Sequence, residues 1–230
     1  MTPIKLAQLI DLTLLKPTAT PSDIENLCRA ALKYNFICVV VNPCYVKLAS
    51  KLLKNSKIRV GTVIGFPLGA NLTETKVYEA KKAVELGASE IDMVMNIGAL
   101  KAGNIDYVEN DIKAVVEAVK EIKSNCIVKV IIETCYLTDE EKIMACKAIV
   151  RAKADFVKTS TGFGPKGATV HDVKLLREIV GPKFGVKAAG GIRDLDTALA
   201  MIKAGANRIG ASAGIKIVEE LIARTSTSPS

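Results

Sequence analysis

Three charged residues stand inside runs that are otherwise apolar and β-branched. Lys158 lies in Asp155-Phe156-Val157-Lys158-Thr159-Ser160, Lys187 in Gly185-Val186-Lys187-Ala188-Ala189, and Asp92 in Glu90-Ile91-Asp92-Met93-Val94-Met95-Asn96. A charge in such a run is costly to bury unless it is paired or functional. Two ammonium groups and a carboxylate in one dry site could activate an amine nucleophile. A free lysine has a pKa of about 10.4, so only roughly 0.1% is neutral near pH 7.4. Burial and a neighbouring ammonium both disfavour the charged form, and lowering the pKa to about 7 takes roughly 4–5 kcal/mol. Lys187 could supply the like charge for Lys158, while Asp92 could hold Lys187 and pass protons through water. The other reading is an ordinary interior ion pair, and Lys129 with Glu133 fits such a pair. On these residues alone both readings stand.

A second group is built of glycine. Gly162, Gly190-Gly191 and the run from Gly210 to Ser212 each follow an apolar run near the end of the chain. Backbone amides after late strands, ending at a helix N-terminus, form a phosphate cradle in barrel enzymes, and Ser212 adds a hydroxyl donor. The same glycines could simply permit tight turns. Asp11, Lys16, Asn42 and Asn96 complete the polar residues at candidate strand ends.

The elements that must position these groups alternate along the chain. Candidate strands cover Leu12–Leu15, Phe36–Val41, Arg59–Ile64, Glu90–Asn96, Ile127–Glu133, Asp155–Ser160, Gly185–Ala189 and Arg208–Ala211. Helical periods between them include Ser22–Tyr34, Thr73–Leu86, Tyr107–Lys123, Asp139–Ala152 and Val170–Val180. Pro21-Ser22 and Thr138-Asp139-Glu140 carry helix-start chemistry, and Gly87 and Gly205 each close a helix and feed a strand. About eight β-then-α units predict a TIM (β/α)8 barrel as a single domain over residues 1–224, followed by a polar tail at 225–230. An open doubly wound sheet would need a Gly-rich loop after its first strand, and Leu15-Lys16-Pro17-Thr18 is not one.

Composition narrows the partners. The net charge of +8 is dispersed, with no basic block to suit a nucleic acid, and could help attract a phosphorylated substrate. The single histidine, His171, beside a helix start at Thr169, is expected at the surface, and one imidazole argues against a metal-dependent site. Six cysteines without a CxxC pair, and nothing resembling a signal peptide, predict reduced thiols in a cytoplasmic protein. No apolar run approaches the roughly 18 residues of a membrane span.

At these residues the sequence resembles the deoxyribose-phosphate aldolase family over nearly the whole chain. The likeness runs through Ile10-Asp11-Leu12-Thr13-Leu14-Leu15-Lys16-Pro17, Val41-Asn42-Pro43, Gly65-Phe66-Pro67-Leu68-Gly69 and Glu90 to Gly98. It continues through Lys129-Val130-Ile131-Ile132-Glu133-Thr134, Phe156 to Phe163, Val186 to Arg193 and Arg208-Ile209-Gly210-Ala211-Ser212.

The resemblance implies a class I aldolase that cleaves 2-deoxy-D-ribose 5-phosphate reversibly to acetaldehyde and D-glyceraldehyde 3-phosphate, in deoxyribonucleotide catabolism, with no cofactor and no metal. It implies Lys158 as the Schiff-base lysine, Lys187 as the lysine that tunes it and Asp92 as the proton-relay carboxylate. Gly162, Gly190, Gly191, Gly210 and Ser212 match phosphate-binding positions, and Asp11 and Thr159 supporting ones. Family barrels often form homodimers, though no surface stripe in this sequence marks an interface. Four positions depart from the pattern. Leu12 replaces a histidine of many relatives, Phe163 a lysine near the phosphate, and Ala213 a serine. The tail lacks the tyrosine that some relatives use for proton abstraction, so Asp92, Lys187 and water are left for that step. Lys166 is a candidate helper for the phosphate.

Overall fold

The computed structural model describes residues 1–226. Its elements run in the order α1 (Pro3–Ala7), β1 (Ile10–Leu14), α2 (Pro21–Tyr34), β2 (Cys38–Val41), α3 (Val46–Leu53), β3 (Arg59–Ile64), α4 (Thr73–Glu85), β4 (Glu90–Val94), α5 (Ile97–Lys101), α6 (Ile105–Ile122), β5 (Ile127–Ile131), α7 (Asp139–Arg151), β6 (Phe156–Lys158), α8 (Val170–Val180), β7 (Gly185–Ala189), α9 (Leu195–Lys203), β8 (Arg208–Ala211) and α10 (Gly214–Ser226). The eight strands pair in parallel and in sequence order, and β8 returns to β1 to close the barrel. The alternation in the sequence therefore has the expected architectural meaning.

Local chemistry explains the element borders. Thr20 opens α2 and Thr138 opens α7, each as half of a capping box, with Asp23 and Glu141 reaching back to the cap. On α2 the buried Ile24, Cys28 and Ala31 recur at helical spacing and form the face laid on the barrel. Gly205 turns from α9 into β8 at φ 114°, where an added Cβ would lie 2.7 Å from Cγ of Arg177. Arg177 fastens this end of the barrel. It donates to the carbonyl oxygens of Gly205 (3.0 Å), Gly181 (2.6 Å) and Phe184 (2.7 Å).

Four strands stop sooner than the apolar pattern suggests, β1 at Leu14 instead of Leu15. Asn96 lies beyond β4 and caps α5 by accepting from the Ala99 amide at 2.9 Å. Glu133 leaves β5 in a left-handed conformation (φ 53°), and β6 ends at Lys158. Single backbone bonds still cross to the neighbouring strand just past these ends, from Met95 to Ile131, Ile132 to Lys158 and Thr159 to Lys187, but the paired register has ended. The last helix continues through Thr225 and Ser226, which the sequence pattern assigns to the polar tail; 227–230 lie outside the described residues.

The main core lies between strands and helices and includes Leu12, Ile91, Val128, Val157, Val186 and Ile209. Leu12 thus faces outward, toward α10, which explains why an apolar residue serves there. A smaller apolar cluster of Leu15, Cys38, Val40 and Val63, with Phe66 against it, forms apart from that core. All six cysteines are free, and Cys28, Cys38, Cys126 and Cys146 are buried. No helix among the described residues is long and apolar enough to cross a membrane.

Candidate active site

Parallel register brings the charged residues together. Lys158 on β6 is the direct partner of Lys187 on β7, and Asp92 on β4 is the partner of Lys129 on β5. One oxygen of Asp92, Oδ2, accepts from Lys158 at 2.8 Å and from Lys187 at 2.7 Å. Its other oxygen accepts from Lys129 at 2.8 Å. Lys187 also donates to Asp11, whose Oδ1 accepts from Arg208 at 2.6 Å. Lys129 lies 2.5 Å from Glu90, not against Glu133. Two residues four apart on a strand share a face but stand about 13 Å apart, so the expected Lys129–Glu133 pair was never within reach.

These groups are almost dry. Asp11, Glu90, Asp92, Lys129 and Lys187 are fully buried, while Lys158 keeps 3% of its surface exposed. That sliver matters, because Lys158 lines a cleft of about 280 Å³ at the C-terminal end of the strands and its ionic neighbours do not. Burial pushes the Lys158 amine down to about 8, with Lys187 and Lys129 acting in the same direction and Asp92 against it. Desolvation is thus the largest cause and the apposed lysine a secondary one. For Asp92, burial would raise the pKa, but Lys129, Lys158 and Lys187 together hold the carboxyl well below its usual range.

Above Lys158 the cleft is lined by Gly162, Gly190, Gly191, Gly210 and Ser212. Gly190 has φ 86°, and its close packing leaves no space for a larger residue. A Cβ there would lie 3.0 Å from Cα of Gly167 and 3.5 Å from Cα of Gly162, so two loops meet backbone to backbone. α10 begins at Gly214, two residues after Ser212, and brings the positive end of its dipole to this rim. Gly210 has a second task. A Cβ at this position would stand 2.9 Å from Cε of Lys187, so its bareness makes room for that side chain.

Other residues take roles that the sequence pattern did not resolve. Lys16 and Arg193 line the cleft and supply its cations, whereas the exposed Lys166 does not line it. Arg193 follows Gly190-Gly191-Ile192 in one loop, and a cation so close to a glycine pair was the available signal. Glu133, 2% exposed, accepts from the backbone and hydroxyl of Thr161 and so orders the loop that carries Gly162. Thr159 ties β6 to β7 through the backbone of Ala189 and supports the site without lining it. Phe163 meets Phe66 edge to face, ring centroids 5.2 Å apart, as one wall of the cleft mouth.

Two groups of metal-type donors occur among the described residues, Asp11-Cys38-Glu90 inside the barrel and Asp139-His171-Asp172 outside. A cationic side chain already occupies each. Lys129 and Arg208 bind both interior carboxylates, and Lys142 sits between Asp139 (2.9 Å) and Asp172 (2.6 Å). His171 is exposed and bonds Asp139 at 2.7 Å.

Comparison with known proteins agrees with this geometry. The model of the DeoC/LacD family of aldolases matches residues 5–220. A protein of Thermoanaerobacter sp. (strain X514) named deoxyribose-phosphate aldolase is 61% identical over 94% of this chain and 97% of its own. Among solved structures, one described as "QR15, an Aldolase" superposes with a TM-score of 0.90 at 42% identity, covering 97% of this chain and 99% of that one. A deoxyribose phosphate aldolase from Aeropyrum pernix, described as a unique tetramer, also gives 0.90 at 37% identity, over 97% and 93% of the two chains. The family match over residues 5–220 and this pattern of likeness identify the chain as a member of the DeoC/LacD family of aldolases.

Proposed function

We propose that the protein cleaves 2-deoxy-D-ribose 5-phosphate reversibly to acetaldehyde and D-glyceraldehyde 3-phosphate, as a cytoplasmic step of deoxyribonucleotide catabolism. The observation that carries the mechanism is the position of Lys158, the one member of the ionic cluster that lines the cleft. Its neutral amine adds to the C1 aldehyde, and loss of water leaves an iminium. A base removes the C3 hydroxyl proton, the C2–C3 bond breaks toward the iminium, and glyceraldehyde 3-phosphate departs. Protonation of the enamine at C2 and hydrolysis release acetaldehyde and restore Lys158.

Gly162, Gly190, Gly191, Gly210 and Ser212 hold the phosphate, with Lys16 and Arg193 facing the same cleft. Lys187 and Asp92 exchange protons with a water at the iminium, and Asp11 fixes Lys187 from behind. No cofactor or metal enters these steps. Residues 1–224 form the catalytic unit, and a homodimer is the proposed assembly, to be read from the mass in solution by light scattering. Borohydride reduction in the presence of deoxyribose 5-phosphate is expected to add mass to the Lys158 peptide. Lys158→Ala should abolish both trapping and turnover. An adduct on another lysine would overturn the assignment, and a panel of phosphorylated sugars tests the substrate.

A further inference from the structure

Every strand but β3 contributes a buried inward titratable or charged group to the barrel interior beneath the cleft. These are Asp11 on β1, Cys38 on β2, Glu90 and Asp92 on β4, Lys129 on β5, Lys158 on β6, Lys187 on β7 and Arg208 on β8. From the edge of β3, the part-exposed Arg59 reaches Glu90 at 3.0 Å. Among the buried groups four cations face three carboxylates. The cluster therefore holds one positive charge in excess, and a low-dielectric interior disfavours an unmatched charge.

Contacts determine which cation sheds that excess. Lys129 touches Glu90, Asp92 and Asp11; Lys187 touches Asp11 and Asp92; Arg208 touches Asp11 and Glu90 and does not deprotonate in proteins. Lys158 touches Asp92 alone, through an oxygen it shares with Lys187. The second oxygen of that carboxylate is already engaged by Lys129.

We propose that Lys129, which neither lines the cleft nor touches substrate, is the positioning residue that sets how readily Lys158 releases its proton. It does so by keeping the buried cluster one positive charge in excess and by engaging the second oxygen of Asp92, so that this carboxylate's charge is shared among three lysines. Glu90 opposes it, since this carboxylate matches Lys129 and Arg208 at the floor. The lowering of the Lys158 pKa by Lys129 agrees in direction. The inference rests on Lys158 being the nucleophile and adds a remote control of its charge.

The test is the pH profile of kcat/KM for deoxyribose 5-phosphate, with borohydride trapping and mass mapping in each variant. Lys129→Met balances the cluster, so the acid limb should move to higher pH, with activity at pH 7 falling about tenfold per unit of movement and recovering in alkali. Glu90→Gln leaves two charges in excess and should move the limb to lower pH. The double variant restores an excess of one and should return the limb toward the wild-type position. A merely structural role would depress activity at every pH and make the double variant worse than either single one. Should Lys129→Met not fold, the direction of the limb in Glu90→Gln decides alone. A Lys158 adduct with unmoved limbs overturns this inference only, whereas no adduct on Lys158 in the wild type overturns the functional reading beneath it.

Discussion

At pH 7 an ordinary lysine leaves about one amine in 2,500 neutral, whereas a pKa near 8 leaves about one in ten. The buried Lys158 has been pushed down to about 8. Because the neutral amine is the reactive form, kcat/KM should rise with pH along a limb centred near 8, as initial rates across pH 6–10 will show. A limb centred near 10 would mean that the pocket does not activate the amine. Lys187→Leu removes one of the groups that lower the Lys158 pKa, so its limb should move to higher pH as turnover falls. Gly210 allows a sharper test of placement. Gly210→Ala sets a methyl 2.9 Å from Cε of Lys187. Overpacking of this kind costs about 1–3 kcal/mol. Turnover should fall at least about tenfold through displaced Lys187, while a thermal melt still shows a folded protein. Of this residue-scale picture, the sequence made Lys158, Lys187 and Asp92 visible as charges in apolar runs. The pairing of Asp92 with Lys187 was open to expectation, but not that both lysines share one of its oxygens, because Asp92 is 66 and 95 residues from these two lysines and periodicity does not say who meets whom.

The two ends of the strands carry different duties. At the C-terminal end the loops line the cleft, and at the other end Arg177 binds three backbone carbonyls in the turns that lead into β7 and β8. Arg177→Ala should therefore destabilise the protein by about 2–3 kcal/mol, since bonds to charged donors are lost and carbonyls left unpaired. Urea unfolding measures the loss, and kcat/KM per folded molecule should stay unchanged. A large drop in kcat would show that the junctions also position the site. At this scale the alternating pattern revealed all eight strands and their order. It blurred the strand ends at Leu15, Asn96, Glu133 and Ser160, because alternation of residue type does not mark where ladder pairing stops. It also left Glu133 paired with the wrong residue, because its left-handed turn toward Thr161 has no signature in residue type.

Over the whole molecule, buried charge couples stability to pH. The folded pKa values of Asp11 and Asp92 lie below those of the unfolded chain, so they contribute stability above pH 4 that is lost as pH falls through the folded values. Lys158 works the other way at neutral pH. Its folded value near 8 lies below the ordinary 10.5, so the folded state binds the proton less well, at a cost of roughly 3 kcal/mol that is relieved as pH rises from 8 to 10.5. Lys158→Met should accordingly raise the melting temperature at pH 7 and flatten the rise in alkali, as calorimetry will show. No gain at pH 7 would mean that the ammonium is better accommodated than its burial implies. With Lys158 as the proposed nucleophile, stability is traded at this position for a reactive amine, a common exchange at catalytic sites.

The closure of β1 against β8 bears on how the protein is made. Asp11 is synthesised early, while Lys187 and Arg208, which hold it, follow 176 and 197 residues later. Until then only Lys129 of its three cationic partners has been made, and neither Lys187 nor Gly210 exists to complete the pocket around Lys158. A nascent chain on the ribosome thus carries Lys158 before the lysine that faces it across β6 and β7. On the proposed role of Lys158, its chemistry therefore awaits the last strand, when Arg208 reaches Asp11 and the barrel shuts.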